Sequence, residues 1–158
     1  MYDVLDICGY VINYSNLNSN SISNLKLQKI LYFIQAQFLV DTNKPCFKEK
    51  IEAWNFGPVV PEAYHAFKQF GASNIPSIST YLEYDRNNLW TARTKTFDRN
   101  IISRKDRTRI ENVINIFSEY SATELVELTH NQSPWQEAYH PGENREITIE
   151  SIRRYFDE

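Results

Sequence analysis

Leu25–Val40 contains no carboxylate, yet it carries apolar residues at two helical periods at once. Leu27, Ile30, Leu31, Ile34 and Phe38 recur at the spacing of one face, and Leu25, Tyr32, Phe33 and Leu39 line a second. A helix apolar on two sides must be covered on both, so the rest of the chain is expected to close around it. Ser23 supplies the N-cap for this helix. Only four glycines occur in 158 residues, too few for an all-β chain built on tight turns. These features predict a mainly α fold: a compact single helical domain, residues 1–158, around a central hydrophobic helix, with a small β-hairpin insertion. A chain of this length buries roughly 70% of its unfolded surface.

Local signals place the other elements. A first helix is expected from Tyr2 to about Ser15, with Val4, Ile7, Cys8 and Val11 inward, followed by a Ser/Asn-rich loop to Asn24. Pro45–Ala53 reads as extended, Gly57-Pro58 as a turn, and Pro61 as the first residue of a short helix closed by Gly71. Leu82-Glu83-Tyr84 and Leu89-Trp90-Thr91 flank a polar four-residue turn, Asp85–Asn88, which predicts the hairpin. Ser103 with Asp106, Ser121 with Glu124, and Ser133-Pro134 with Gln136 have the pattern of helix starts. These open helices over Arg104–Tyr120, Thr123–Thr129 and the residues before Pro141-Gly142. Thr148 starts a last helix with Ile149, Ile152 and Phe156 inward.

The net charge is −3, too mild to select nucleic acid or a membrane as a bulk partner. No apolar stretch approaches the ~18 residues of a membrane helix, and Asp3 and Asp6 interrupt the first apolar run, so no signal peptide is expected. Cys8 and Cys46 have no metal-binding spacing and read as buried thiols in a reducing compartment or as a disulfide. The expected location is cytoplasmic.

The candidate chemistry is thin. EAYH occurs twice, at Glu62–His65 and Glu137–His140, and each is a Glu-x-x-His spacing of the kind used in di-metal bundles. Those centres need two further glutamates from long helices, which this chain does not supply, so no metal, cofactor or catalytic residue is assigned. A metal-dependent hydrolase would have to draw on His65, His130 and His140. His130 reads instead as a residue at a helix C-terminus, satisfying the last carbonyls. Between Arg93 and Arg109, seven basic residues stand against two acidic ones, while eight acidic residues and three arginines follow Tyr120. Such asymmetry can steer a charged partner. With no reader motif, a nucleic-acid-binding regulator is the weaker reading.

Three segments carry a resemblance: LKLQKILYF (Leu25–Phe33), IEAWNFGPVVPEAY (Ile51–Tyr64) and LTHNQSPWQEAY (Leu128–Tyr139). Together with the closing Ile152–Phe156 helix, they resemble the Panacea antitoxin domain, a group that includes phage-associated and SocA-like proteins. The glycine this family places after the long helix is replaced here by Asp41-Thr42-Asn43. The resemblance implies an antitoxin that neutralises its cognate toxin by protein contact. Some relatives deliver a toxin to a protease, which makes a protease or chaperone a further partner. The signature residues Trp54, Phe56, Gly57, Pro58, Tyr64, Thr129, His130, Pro134, Trp135 and Tyr139 are expected to be mainly scaffold, since buried rings and caps serve folding first. Partner contact is then expected on the hairpin and basic run, at Tyr84, Trp90, Arg93, Lys95 and Arg99, because aromatics and arginines anchor interfaces.

Overall fold

The computed structural model describes residues 1–85 and 88–157, with side chains outside 83–92. The fold is mainly α with small antiparallel sheets. Ser23 accepts the amide of Lys26 and opens α2 (Asn24–Thr42). This helix packs against α1 (Val4–Leu17), α3 (Pro61–Phe67), α4 (Arg104–Ile116), α5 (Ala122–His130) and α7 (Ile149–Phe156). Leu27, Ile30, Leu31, Tyr32 and Ile34 are buried, each side chain worth roughly 1.5–3 kcal/mol on transfer from water. The burial of α2 is not purely apolar, however: Asn24, Lys26, Gln28, Lys29 and Gln35 are buried with it.

Asn43 ends α2 at φ 59°, in the left-handed region, with its amide bonded to Leu39 O. Asparagine tolerates this conformation better than most residues, so it does the capping work of the missing glycine. Ser103, Ser121 and Thr148 cap α4, α5 and α7, and Ser121 with Glu124 forms a complete capping box.

A three-stranded antiparallel sheet has the order β2-β1-β5, from β1 (Ile51–Trp54), β2 (Gly57–Val59) and β5 (Arg145–Ile147). The register pairs Trp54 with Gly57 and Ile51 with Ile147. Pro58 lies on edge strand β2, where the amide it lacks is not needed by a second neighbour. β3 (Thr80–Asp85) pairs with β4 (Asn88–Thr96) as a separate ribbon. Buried Asp6 of α1 anchors it, accepting the Tyr81 hydroxyl at 2.7 Å and the Lys95 ammonium at 3.5 Å.

Several sequence expectations shift. Tyr2 bridges to Phe47 rather than starting α1, and the helix runs on to Leu17. The turn after β1 falls at Asn55-Phe56, so Gly57 and Pro58 are strand residues, because the tight reversal precedes the positive-φ glycine. α4 stops at Ile116, with Phe117 as its C-cap, four residues short of Tyr120. Gln132, not Ser133, is the N-cap residue of α6 (Ser133–Ala138), with Pro134 inside its first turn. The β3–β4 strands are longer than the polar run suggested, with Asp85 facing Asn88. β5 has no alternating pattern to announce it, being three residues held by β1. Cys8 and Cys46 are free and buried, and burial raises both thiols well above their ordinary pKa.

Candidate functional site

The three signature segments meet at the β1–β2 hairpin. On one side, the Trp135 indole donates to Trp54 O at 2.8 Å, and the Tyr139 hydroxyl bonds Asn55 Oδ1 at 3.1 Å. His130 Nε2 lies 3.0 Å from Asn55 O, and Gln136 donates to His130 O at 2.9 Å. The rings of His130, Trp135 and Tyr139 stack in series, with centroids 4.0 and 4.5 Å apart. Stacking adds geometric preference to the area these rings bury. α5 and α6 therefore grip the hairpin turn through its backbone and through Asn55.

On the other side, α2 holds the return strand by polar contacts. Gln28 Oε1 accepts the Val60 amide at 2.9 Å while its Nε2 donates to Asn24, and Asn24 donates to Tyr64 O. The Lys29 ammonium nitrogen donates to Pro58 O at 3.1 Å. Burial lowers this amine to about 7, since desolvation disfavours its charged form. Gly57, at φ +103°, sits where a Cβ would stand 2.6 Å from Lys29 Cε and 2.9 Å from Thr129 Oγ1. One glycine thus joins all three segments. Thr129 is buried, and its hydroxyl donates back to the carbonyls of Leu125 and Val126.

Phe56 departs from the scaffold expectation: it is 62% exposed at the hairpin tip. It forms one wall of a cleft of about 320 Å³ between α2 and α3, with Trp54, Leu25, Gln28, Tyr64 and Lys68 among the other lining residues. Trp54 and Tyr64 meet edge to face at 5.0 Å and support that wall.

The residues assigned to partner contact lie elsewhere. Arg93 is exposed and faces Glu83 across the ribbon, and Arg99 is exposed on the 3₁₀ turn Arg99–Ile101. Lys95 is engaged with Asp6 and lies over the Tyr81 ring at 5.6 Å, which makes it an anchor of the ribbon. The hydrogen bond with Tyr81 raises its pKa, and burial with the Asp6 contact moves Tyr81 to about 12. The side chains of Tyr84 and Trp90 lie outside the described residues.

The two Glu-x-x-His pairs are used separately. His65 packs beside Trp54 and Tyr64, Glu137 pairs with Arg154 at 3.2 Å, and His140 pairs with Glu143 at 3.2 Å. Among the described residues, no group of three or more His, Cys, Asp or Glu side chains is placed to hold a metal ion. Among the same residues, no helix is long and apolar enough to cross a membrane.

The polar row Asn24, Gln28, Lys29 and Gln35 was not singled out from the sequence. Its signal was available: amides and a lysine on the inward faces of a helix otherwise apolar there, each needing a backbone partner once buried.

Residues 27–136 match the model of the family described as Antitoxin SocA-like, Panacea domain. Over 126 residues, 78% of this chain, the sequence is 36% identical to Antitoxin SocA of Caulobacter vibrioides (strain NA1000 / CB15N). The match spans 63% of that relative's length. No solved structure matches the chain.

Proposed function

Because this chain belongs to the SocA-like Panacea antitoxin family, we propose that it is a non-enzymatic antitoxin that neutralises a cognate toxin by direct protein contact, with residues 1–158 forming the binding unit. The observation that carries the reading is Phe56. The other described signature rings, at Trp54, Tyr64, Trp135 and Tyr139, pack or hydrogen-bond within the fold, while Phe56 stands in water on a turn braced from both sides. An exposed ring on a rigid mount is a ready interface anchor, since it loses little conformational freedom on binding. Arg93 and Arg99 offer further exposed contacts on the ribbon side. Each histidine is engaged in separate local contacts, and among the described residues no three or more His, Cys, Asp or Glu side chains converge.

Co-expression with the product of the neighbouring reading frame tests this. Phe56→Ser is expected to abolish rescue from that toxin while the purified variant keeps its unfolding midpoint, because the ring removed touches mainly solvent. Full rescue by the variant moves the interface away from the hairpin tip. A neighbouring product that is harmless alone removes the reading itself.

A further inference from the structure

Lys29 is the most deeply placed cation of the signature, at 0% exposure. An ammonium carries three donors, and Pro58 O is the acceptor the structure gives it. Among the described residues, the surrounding elements bring no compensating charge. β2 presents Gly57, Pro58 and Val59. α5 turns Leu125 and Thr129 inward, keeps Glu124 in its own capping box and Glu127 in solvent, and directs His130 to Asn55. On α2, Lys26 reaches Ser118 O. From the more distant faces of α2, Asp6 of α1 is committed to Tyr81 and Lys95, and Arg109 of α4 to Asp41 and Asp106. From α3, Glu62 and His65 are exposed, and the Arg154 guanidinium of α7 pairs with Glu137. Burial accordingly lowers the Lys29 amine.

We propose that Lys29 is a charge-operated latch: with its amine neutral the β1–β2 hairpin stays seated on α2 and α5, and protonation releases it, carrying Trp54 and Phe56 out of register with α5 and α6. The geometry favours the hairpin as the part that yields. The Lys29 contact is to the hairpin's own backbone, and the aliphatic stem lies directly under Gly57. Lifting the hairpin is therefore the movement that lets water reach the ammonium.

The sign follows from linkage. The seated form binds the proton less tightly than the released form, so stability rises with pH from about 7 up to the ordinary lysine value near ~10.4. Within that window each unit of falling pH makes release about tenfold easier, and below it the effect levels off.

Urea unfolding of the full chain, followed by tryptophan fluorescence at pH 7 and pH 9, tests the latch against Lys29→Met. The wild-type chain is expected to gain up to ~100-fold in its folding equilibrium between these values. The methionine variant is expected to lack that gain and to exceed wild type at pH 7. Other titrating groups, including Glu49, which burial and the neighbouring Asp3 raise to about 7, are common to both proteins and cancel in the comparison. Equal pH dependence in the two overturns the proposal. Should the variant not fold, side-chain NMR of ¹⁵N-lysine in the wild-type chain decides: an amine titrating near neutrality supports the latch, and all amines titrating above pH 10 refute it.

Discussion

Gly57→Ala is expected to cost about 3 kcal/mol or more, enough to leave much of a marginally stable chain unfolded. Two causes add. At φ +103° an alanine adopts a backbone conformation that costs an L-residue roughly 1–2 kcal/mol. The new methyl also stands 2.6 Å from Lys29 Cε, on a side chain with no solvent exposure. Overpacking of a filled interior costs ~1–3 kcal/mol. Gly142→Ala is the control, because Gly142 has φ +80° but nothing within 4 Å of an added Cβ. Its loss should be limited to the backbone term, ~1–2 kcal/mol. Chemical denaturation of both variants separates the two causes; equal losses would mean that Lys29 yields freely.

A second large effect is expected from Gln35→Leu. The Gln35 side chain has no exposure, and its Oε1 accepts the amides of Cys46 (2.7 Å) and Phe47 (3.3 Å) while its Nε2 donates to Phe47 O (3.1 Å). Leucine removes these partners and leaves two buried N–H groups and one carbonyl facing hydrocarbon. Each orphan costs ~1–3 kcal/mol, so a total loss of ~3–5 kcal/mol is expected. Gln37→Leu, two residues on, removes only a hydrogen bond to Asp41 on the helix surface and should fall within ~0.5 kcal/mol of wild type. A Gln35→Leu variant as stable as Gln37→Leu would show that the Cys46–Phe47 backbone finds other partners or water.

The contrast between these glutamines shows where sequence reading stops. Both lie in one carboxylate-free helix; the helical period sets Gln35 in line with Leu31 and Leu39, but nothing in it names the Cys46–Phe47 backbone as the partner. The helix itself was legible, as were its Ser23 cap and the caps of α4, α5 and α7, because capping and helical period act over three or four residues. The β3–β4 ribbon was legible through its flanking apolar runs. β5 was not, since three residues without alternation carry no strand signal until β1 supplies the pairing.

Within the candidate site, the signature residues were found but their roles were divided differently. Trp54, Tyr64, Thr129, His130, Trp135 and Tyr139 pack or hydrogen-bond within the fold. Phe56 does not, because a ring at a turn tip is buried or exposed according to what packs above the turn. Lys95 reverses in the other direction: a basic residue on a charged run is held by Asp6, 89 positions away. The charge pattern gives no hint of that pairing.

The order of amino acids by itself determined the mainly helical class, the helix starts and the family, since each rests on chemistry between near neighbours or on motif identity. The tertiary structure decided where the motifs meet. Lys29, Gly57 and Thr129 become one junction only when α2, β2 and α5 are packed, and burial then lowers the lysine amine and crowds the space beside the glycine. Desolvation and steric exclusion depend on which distant segments close over a residue, and no local pattern carries that information.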